Sequence, residues 1–183
     1  MGANVGVLNL PNTLTIARIV IIPLFITAVI YKRYDYALYL FVVAAVTDAL
    51  DGLIARLTNQ KTVFGTFLDP LADKFLLVTS FILFSMNGWV PKWLTITVIS
   101  RDVIVIIGWV IIYLVAHISK VEPTITGKAA IAMQVILLCY VLLDINIGSL
   151  PDIDFILIWA TAVLTIISGL HYIYRGLKLT HAQ

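Results

Sequence analysis

Long apolar runs alternate along this chain with short polar breaks. Six runs, about Leu14–Tyr31, Tyr36–Leu57, Phe64–Met86, Lys92–His117, Thr126–Leu143 and Phe155–Ile173, stand out. Each is near the roughly 20 apolar residues that a helix needs to cross a bilayer. The breaks hold charged and chain-turning residues: Lys32, Arg33 and Asp35; Thr58–Val63; Asn87, Gly88 and Pro91; Ile118–Pro123; and Asp144–Asp154, with Gly148 and Pro151. The pattern predicts an all-α integral membrane protein with six transmembrane helices. Residues 1–13, mildly apolar and broken by Pro11, predict a short N-terminal interfacial segment, with Asn12, Thr13 or Thr15 as the cap of the first helix. No internal repeat or low-complexity segment interrupts the pattern, so a single domain over 1–183 is expected.

Composition sharpens this. The chain is 61% hydrophobic and 12% charged, against about 25% charged in a soluble domain. A net charge of +2 gives no basis for binding nucleic acid. The single cysteine, Cys139, lies in an apolar run and reads as a packing residue. The first residues lack a basic n-region, so no cleavable signal is expected. With six spans, both termini share a face with Arg56, Lys61, Lys120, Lys128, Arg175 and Lys178, while Lys32, Arg33 and Lys92 lie opposite. That bias predicts a multi-pass membrane protein with cytoplasmic termini. Trp89 and Trp93 read as an aromatic belt, the histidines as interfacial, and Gly108 and Gly169 as close-packing points.

The chemistry concentrates between Asp48 and Asp73. Asp48 and Asp51 are three apart and Asp69 and Asp73 four apart, so each pair shares a face of its helix. Carboxylates beside a bilayer core are costly unless paired, hydrated or bound to a cation. One or two divalent ions with oxygen ligands relieve the repulsion. Gly52 and Ala55 are small enough for close approach, and Arg56 offers a fork for phosphate. Gly65 and Thr66 open the next helix, where backbone donors are free for an anion. On the expected topology this cluster faces the cytoplasm. Acids spread along a pore would instead mark a cation transporter; here they gather at one hairpin mouth.

The spacing D-x-x-D-G-x-x-A-R-x8-G-x-x-x-D-x-x-x-D resembles the motif of the CDP-alcohol phosphatidyltransferases. It is met at Asp48, Asp51, Gly52, Ala55, Arg56, Gly65, Asp69 and Asp73. The resemblance extends to N-L-P-N-T-L-T-I-A-R at 9–18, L-D-P-L-A-D-K at 68–74, S-R-D-V at 100–103 and V-E-P-T-I-T-G-K at 121–128. It implies six transmembrane helices in a homodimer. It also implies two divalent cations, Mg2+ or Mn2+, held by Asp48, Asp51, Asp69 and Asp73. CDP-diacylglycerol would be the donor, with contacts from Asp48, Ala49, Gly52, Arg56, Gly65, Thr66 and Asp69. Asp73 would take the proton from the acceptor hydroxyl.

Arg101, Lys128 and Arg18 are the cations expected to hold an acceptor phosphate. The first two also have plain readings, as half of a neighbouring charge pair with Asp102 and as a snorkelling lysine; Arg18 could simply anchor its helix. The opening N-L-P-N and L-D-P-L-A-D-K resemble the phosphatidylglycerol and cardiolipin branch. Phosphatidylglycerophosphate synthases typically carry R-E with a further Arg in the fourth helix and G-K-x-K-T in the fifth. This chain has R-D-V-I-V-I-I-G and G-K-A-A-I-A-M-Q. A dianionic phosphomonoester asks for more positive charge than a phosphodiester. The expectation is therefore phosphatidylglycerol as acceptor, giving cardiolipin, with glycerol 3-phosphate as the alternative.

Overall fold

The computed structural model describes residues 10–58, 63–116, 124–148 and 150–180; within them, the side chains of 10–16, 48–58, 63–73, 109, 112–116 and 177–180 lie outside the description. The described residues form six helices and no strand: α1 Leu10–Ile30, α2 Tyr34–Thr58, α3 Val63–Met86, α4 Lys92–Ala116, α5 Ile125–Ile147 and α6 Asp154–Thr180. They match the six apolar runs. The differences lie at the ends. α1 begins at Leu10, so Pro11 sits in its first turn, where a missing N–H removes no helical bond. Residues 10–13 are therefore helix rather than a separate interfacial segment, and none of Asn12, Thr13 or Thr15 caps it; residues 1–9 lie outside the description. Asp144 belongs to α5, not to the loop after it, and Arg175 and Lys178 are carried on α6 rather than on a tail.

Local chemistry explains the turns. After α1, Arg33 N–H donates to Ala28 O (2.8 Å) and Lys32 N–H to Val29 O (3.1 Å), a Schellman closure with Lys32 at φ 57°. After α3 the same closure uses Gly88 at φ 79°, with Trp89 N–H bonded to Phe84 O at 2.9 Å. The apolar contact that accompanies this motif is Phe84 on Trp89, edge to face with centroids 5.3 Å apart. After α5, Gly148 at φ 67° donates its N–H to Asp144 O at 2.7 Å. In each case the chain must turn left-handed, which glycine does freely and lysine does not.

The chain divides into two compact units. One holds residues up to Leu83 together with Leu142–Gly148. In it α1 packs on α2. Phe25, Ala28 and Val29 of α1 and Ala37, Phe41 and Ala44 of α2 are buried, and the Phe25 and Phe41 rings stand 5.9 Å apart. Asn146 donates its side-chain N–H to Tyr34 O at 3.0 Å. The other unit holds Phe84–Val141 and residues from Ser149 onward. In it α4 packs on α6.

This second unit buries polar side chains beside apolar ones such as Leu94, Val98, Leu137 and Leu138, and exposes large apolar ones. Arg101, Asp102, Gln134, Thr161, Thr165 and Ser168 are buried, while Ile104, Ile107, Ile166 and Ile167 are exposed. Such an exposed apolar surface suits a lipid surround. Among the described residues, Ile125–Ile147 and Asp154–Gly176 are each long and apolar enough to cross a membrane. Trp93 and Trp159 stand 5.4 Å apart with tilted rings near the starts of α4 and α6, with Phe155 beside Trp159.

Candidate functional site

Asp48 and Asp51 lie on α2 and Asp69 and Asp73 on α3, in continuous helix on either side of residues 59–62. Helical backbone through both pairs keeps each on one face, as the spacing predicts. The set offers carboxylate oxygens alone, which suits Mg2+ or Mn2+ rather than a softer ion. These four side chains, with those of Ala49, Gly52, Arg56, Gly65 and Thr66, lie outside the described ones. Among the described side chains no three of His, Cys, Asp or Glu come together. Arg18, on α1 in the same unit, is 1% exposed and engaged by its surroundings. Such burial does not suit a plain interfacial anchor of its helix.

The second unit holds a built cationic site. α4 turns Leu94, Val98 and Arg101 inward at helical spacing. Arg101 is 6% exposed. Its Nη1 donates to Asp102 Oδ1 at 2.8 Å and its Nη2 to Ser168 Oγ of α6 at 2.7 Å. Its Nε is buried with no hydrogen-bond partner. The first turn of α5 closes over the guanidinium. A Cβ on Gly127 would meet Arg101 Nη2 and Thr124 Oγ1, each at 3.1 Å, so an alanine there would have to push one of them aside by a few tenths of an ångström. Gly169 of α6 packs on the Arg101 stem, 3.5 Å from where its own Cβ would be. Among the described residues, nothing lies within 4 Å of where a Gly108 Cβ would be.

The same turn is tied by side chains. Thr124 caps α5 by accepting Gly127 N–H at 3.1 Å, and Thr126 Oγ1 lies 3.2 Å from Thr124 Oγ1 and 3.0 Å from His171 Nδ1. Lys128 is exposed on this turn, one residue after Gly127. Arg101 is thus more than half of a neighbouring charge pair. Asp102 supplies the carboxylate beside the guanidinium, and the N-terminal turn of α5 stands next to it. The sequence pointed to Arg101 and Lys128 but not to Thr126, Ser168 or His171. The signal available for these was the quoted V-E-P-T-I-T-G-K and the inward spacing of Thr161, Thr165 and Ser168 on α6.

Comparison with known proteins agrees with the motif. The sequence pattern of the CDP-alcohol phosphatidyltransferases matches residues 8–167. A Bacillus subtilis protein named CDP-diacylglycerol–glycerol-3-phosphate 3-phosphatidyltransferase is 32% identical over 187 residues, covering 92% of this chain and 95% of its own. Its Aquifex aeolicus namesake is 32% identical over 181 residues, covering 94% and 98%. A Mycobacterium bovis protein provisionally named cardiolipin synthase is 35% identical over 125 residues, covering 68% of this chain and 59% of its own. These likenesses favour glycerol 3-phosphate, the alternative acceptor, over phosphatidylglycerol. This chain is a membrane enzyme and belongs to the CDP-alcohol phosphatidyltransferase family.

Proposed function

We propose that the enzyme transfers the phosphatidyl group of CDP-diacylglycerol to a hydroxyl of glycerol 3-phosphate, releasing CMP and forming phosphatidylglycerophosphate. The observation that carries the acceptor is Arg101, buried, with an unpartnered Nε, beside the first turn of α5. Counting lysines and arginines undervalues such a site, because the helix terminus adds backbone donors and partial positive charge of its own. The names of the Bacillus and Aquifex relatives support the same choice.

In this reading Arg101 and Lys128 hold the acceptor phosphate, with Arg18 as a further candidate. Asp48, Ala49, Gly52, Arg56, Gly65, Thr66 and Asp69 hold the CDP end of the donor. Asp48, Asp51, Asp69 and Asp73 are the ligands for two divalent cations. When bound, the cations supply charge neutralisation for the diphosphate and for departing CMP. Asp73 accepts the proton from the acceptor hydroxyl. The freed oxygen bonds the phosphorus that carries diacylglycerol as the bond to CMP breaks. The chain acts as a single domain with six spans, both termini and the site at the cytoplasmic face of a bacterial inner membrane, and pairs as a homodimer.

The test supplies labelled CDP-diacylglycerol and Mg2+ to purified protein, with glycerol 3-phosphate or phosphatidylglycerol as acceptor. Phosphatidylglycerophosphate with the first is the expected product. Cardiolipin with the second alone would overturn the acceptor. Asp69→Asn should abolish turnover. Asp73→Asn should stop transfer while leaving CDP-diacylglycerol binding largely intact; loss of that binding would make Asp73 chiefly a ligand.

A further inference from the structure

The side chains of α6 meet the Arg101 site twice. Ser168 takes Nη2 of the guanidinium, and His171, three residues on and so on the same helix face, takes Thr126 of α5. Thr126 Oγ1 shares a hydrogen bond with His171 Nδ1 at 3.0 Å, its direction set by the imidazole tautomer, and lies 3.2 Å from Thr124 Oγ1. A hydrogen-bonded chain thus joins His171 through Thr126 to Thr124, which also accepts Gly127 N–H. It ends where Thr124 Oγ1 and Arg101 Nη2 stand together against Gly127. α6 therefore grips both sides of the gap: the guanidinium through Ser168, and the α5 turn through His171.

We propose that His171 is a positioning residue for the acceptor. It fixes the first turn of α5 through Thr126, and so sets the distance between that turn and Arg101 across which the acceptor phosphate is held. The inference rests on the reading that Arg101 binds that phosphate. The donor site requires nothing of His171, so the effect belongs to one substrate alone. The property used is a hydrogen-bonding atom at the Nδ1 position, which an asparagine amide can supply in either role and a leucine cannot.

The experiment measures KM for glycerol 3-phosphate and for CDP-diacylglycerol on the full-length purified protein. Variants are His171→Leu, His171→Asn, Thr126→Val, the Leu/Val double variant and Arg101→Lys. Loss of one such bond predicts about a 2- to 10-fold rise in acceptor KM for His171→Leu, with the donor KM unchanged. Thr126→Val should match it, the double variant should add nothing further, and His171→Asn should return near the parent value. A folded His171→Leu enzyme with the parent acceptor KM overturns the proposal. So does an equal rise for both substrates, which is what a merely structural tie would give, or full multiplication of the two single effects. Should the Leu variant not fold, Thr126→Val and His171→Asn carry the same comparison. An unchanged acceptor KM in Arg101→Lys removes the phosphate reading itself; an impaired Arg101→Lys beside a normal His171→Leu removes only the role of His171.

Discussion

Lys32 and Gly127 show opposite relations between a residue and its place. Lys32 holds φ 57° to close α1, a conformation that disfavours an L side chain by about 1–2 kcal/mol. Lys32→Gly should therefore raise stability by about 1 kcal/mol, read as a higher melting temperature in detergent with unchanged turnover. Gly127 is inside a helix, where alanine would ordinarily be better by about 1 kcal/mol. Yet its missing Cβ is the space beside Arg101 Nη2, and that nitrogen is held in place by Ser168. Gly127→Ala should raise the KM for glycerol 3-phosphate several-fold, about the loss of one charged hydrogen bond, while the donor KM stays put. A parent-like acceptor KM would show that the guanidinium can give way.

Helix α6 carries the second unit's inner polarity. Thr161, Thr165 and Ser168 recur at helical spacing and are fully buried, and Gln134 of α5 donates to Thr165 Oγ1 at 3.2 Å. Thr165→Val strands that amide and should destabilise the protein by about 1–3 kcal/mol in a thermal or denaturant melt. The sequence announced the helices well, because apolar runs bounded by Gly88, Pro91, Gly148 and Pro151 are local signals. It misplaced the start of α1 because Pro11 reads as a breaker but is tolerated in a first turn. It assigned Asp144 to a loop by its charge, although a helix end at the membrane surface accommodates a carboxylate. The aspartate motif was legible because its spacing is fixed within one hairpin. His171 with Thr126 was not, since the partners stand 45 residues apart and neither leaves a periodic trace.

For the whole molecule, the apolar exterior and buried polar groups of the described residues tie stability to the lipid phase, and the proposed carboxylate site would tie activity to divalent ions. Stripping metal with EDTA should stop CMP release, and added Mg2+ or Mn2+ should restore it; a transporter would show no such release. The bond between Arg101 and Ser168 also has a bearing on how the protein is made. Its partners are separated by 67 residues, and the whole of α5 lies between them. During synthesis α4, on the proposed six-span topology, enters the membrane carrying an arginine whose Ser168 partner has not yet been translated. Until α6 arrives, that charge has only Asp102 of its own helix among these contacts, together with whatever lipid headgroup or water it can draw in. Biogenesis therefore passes through an interval in which the newborn chain resembles a substrate for membrane quality control, and the emergence of α6 is what ends it.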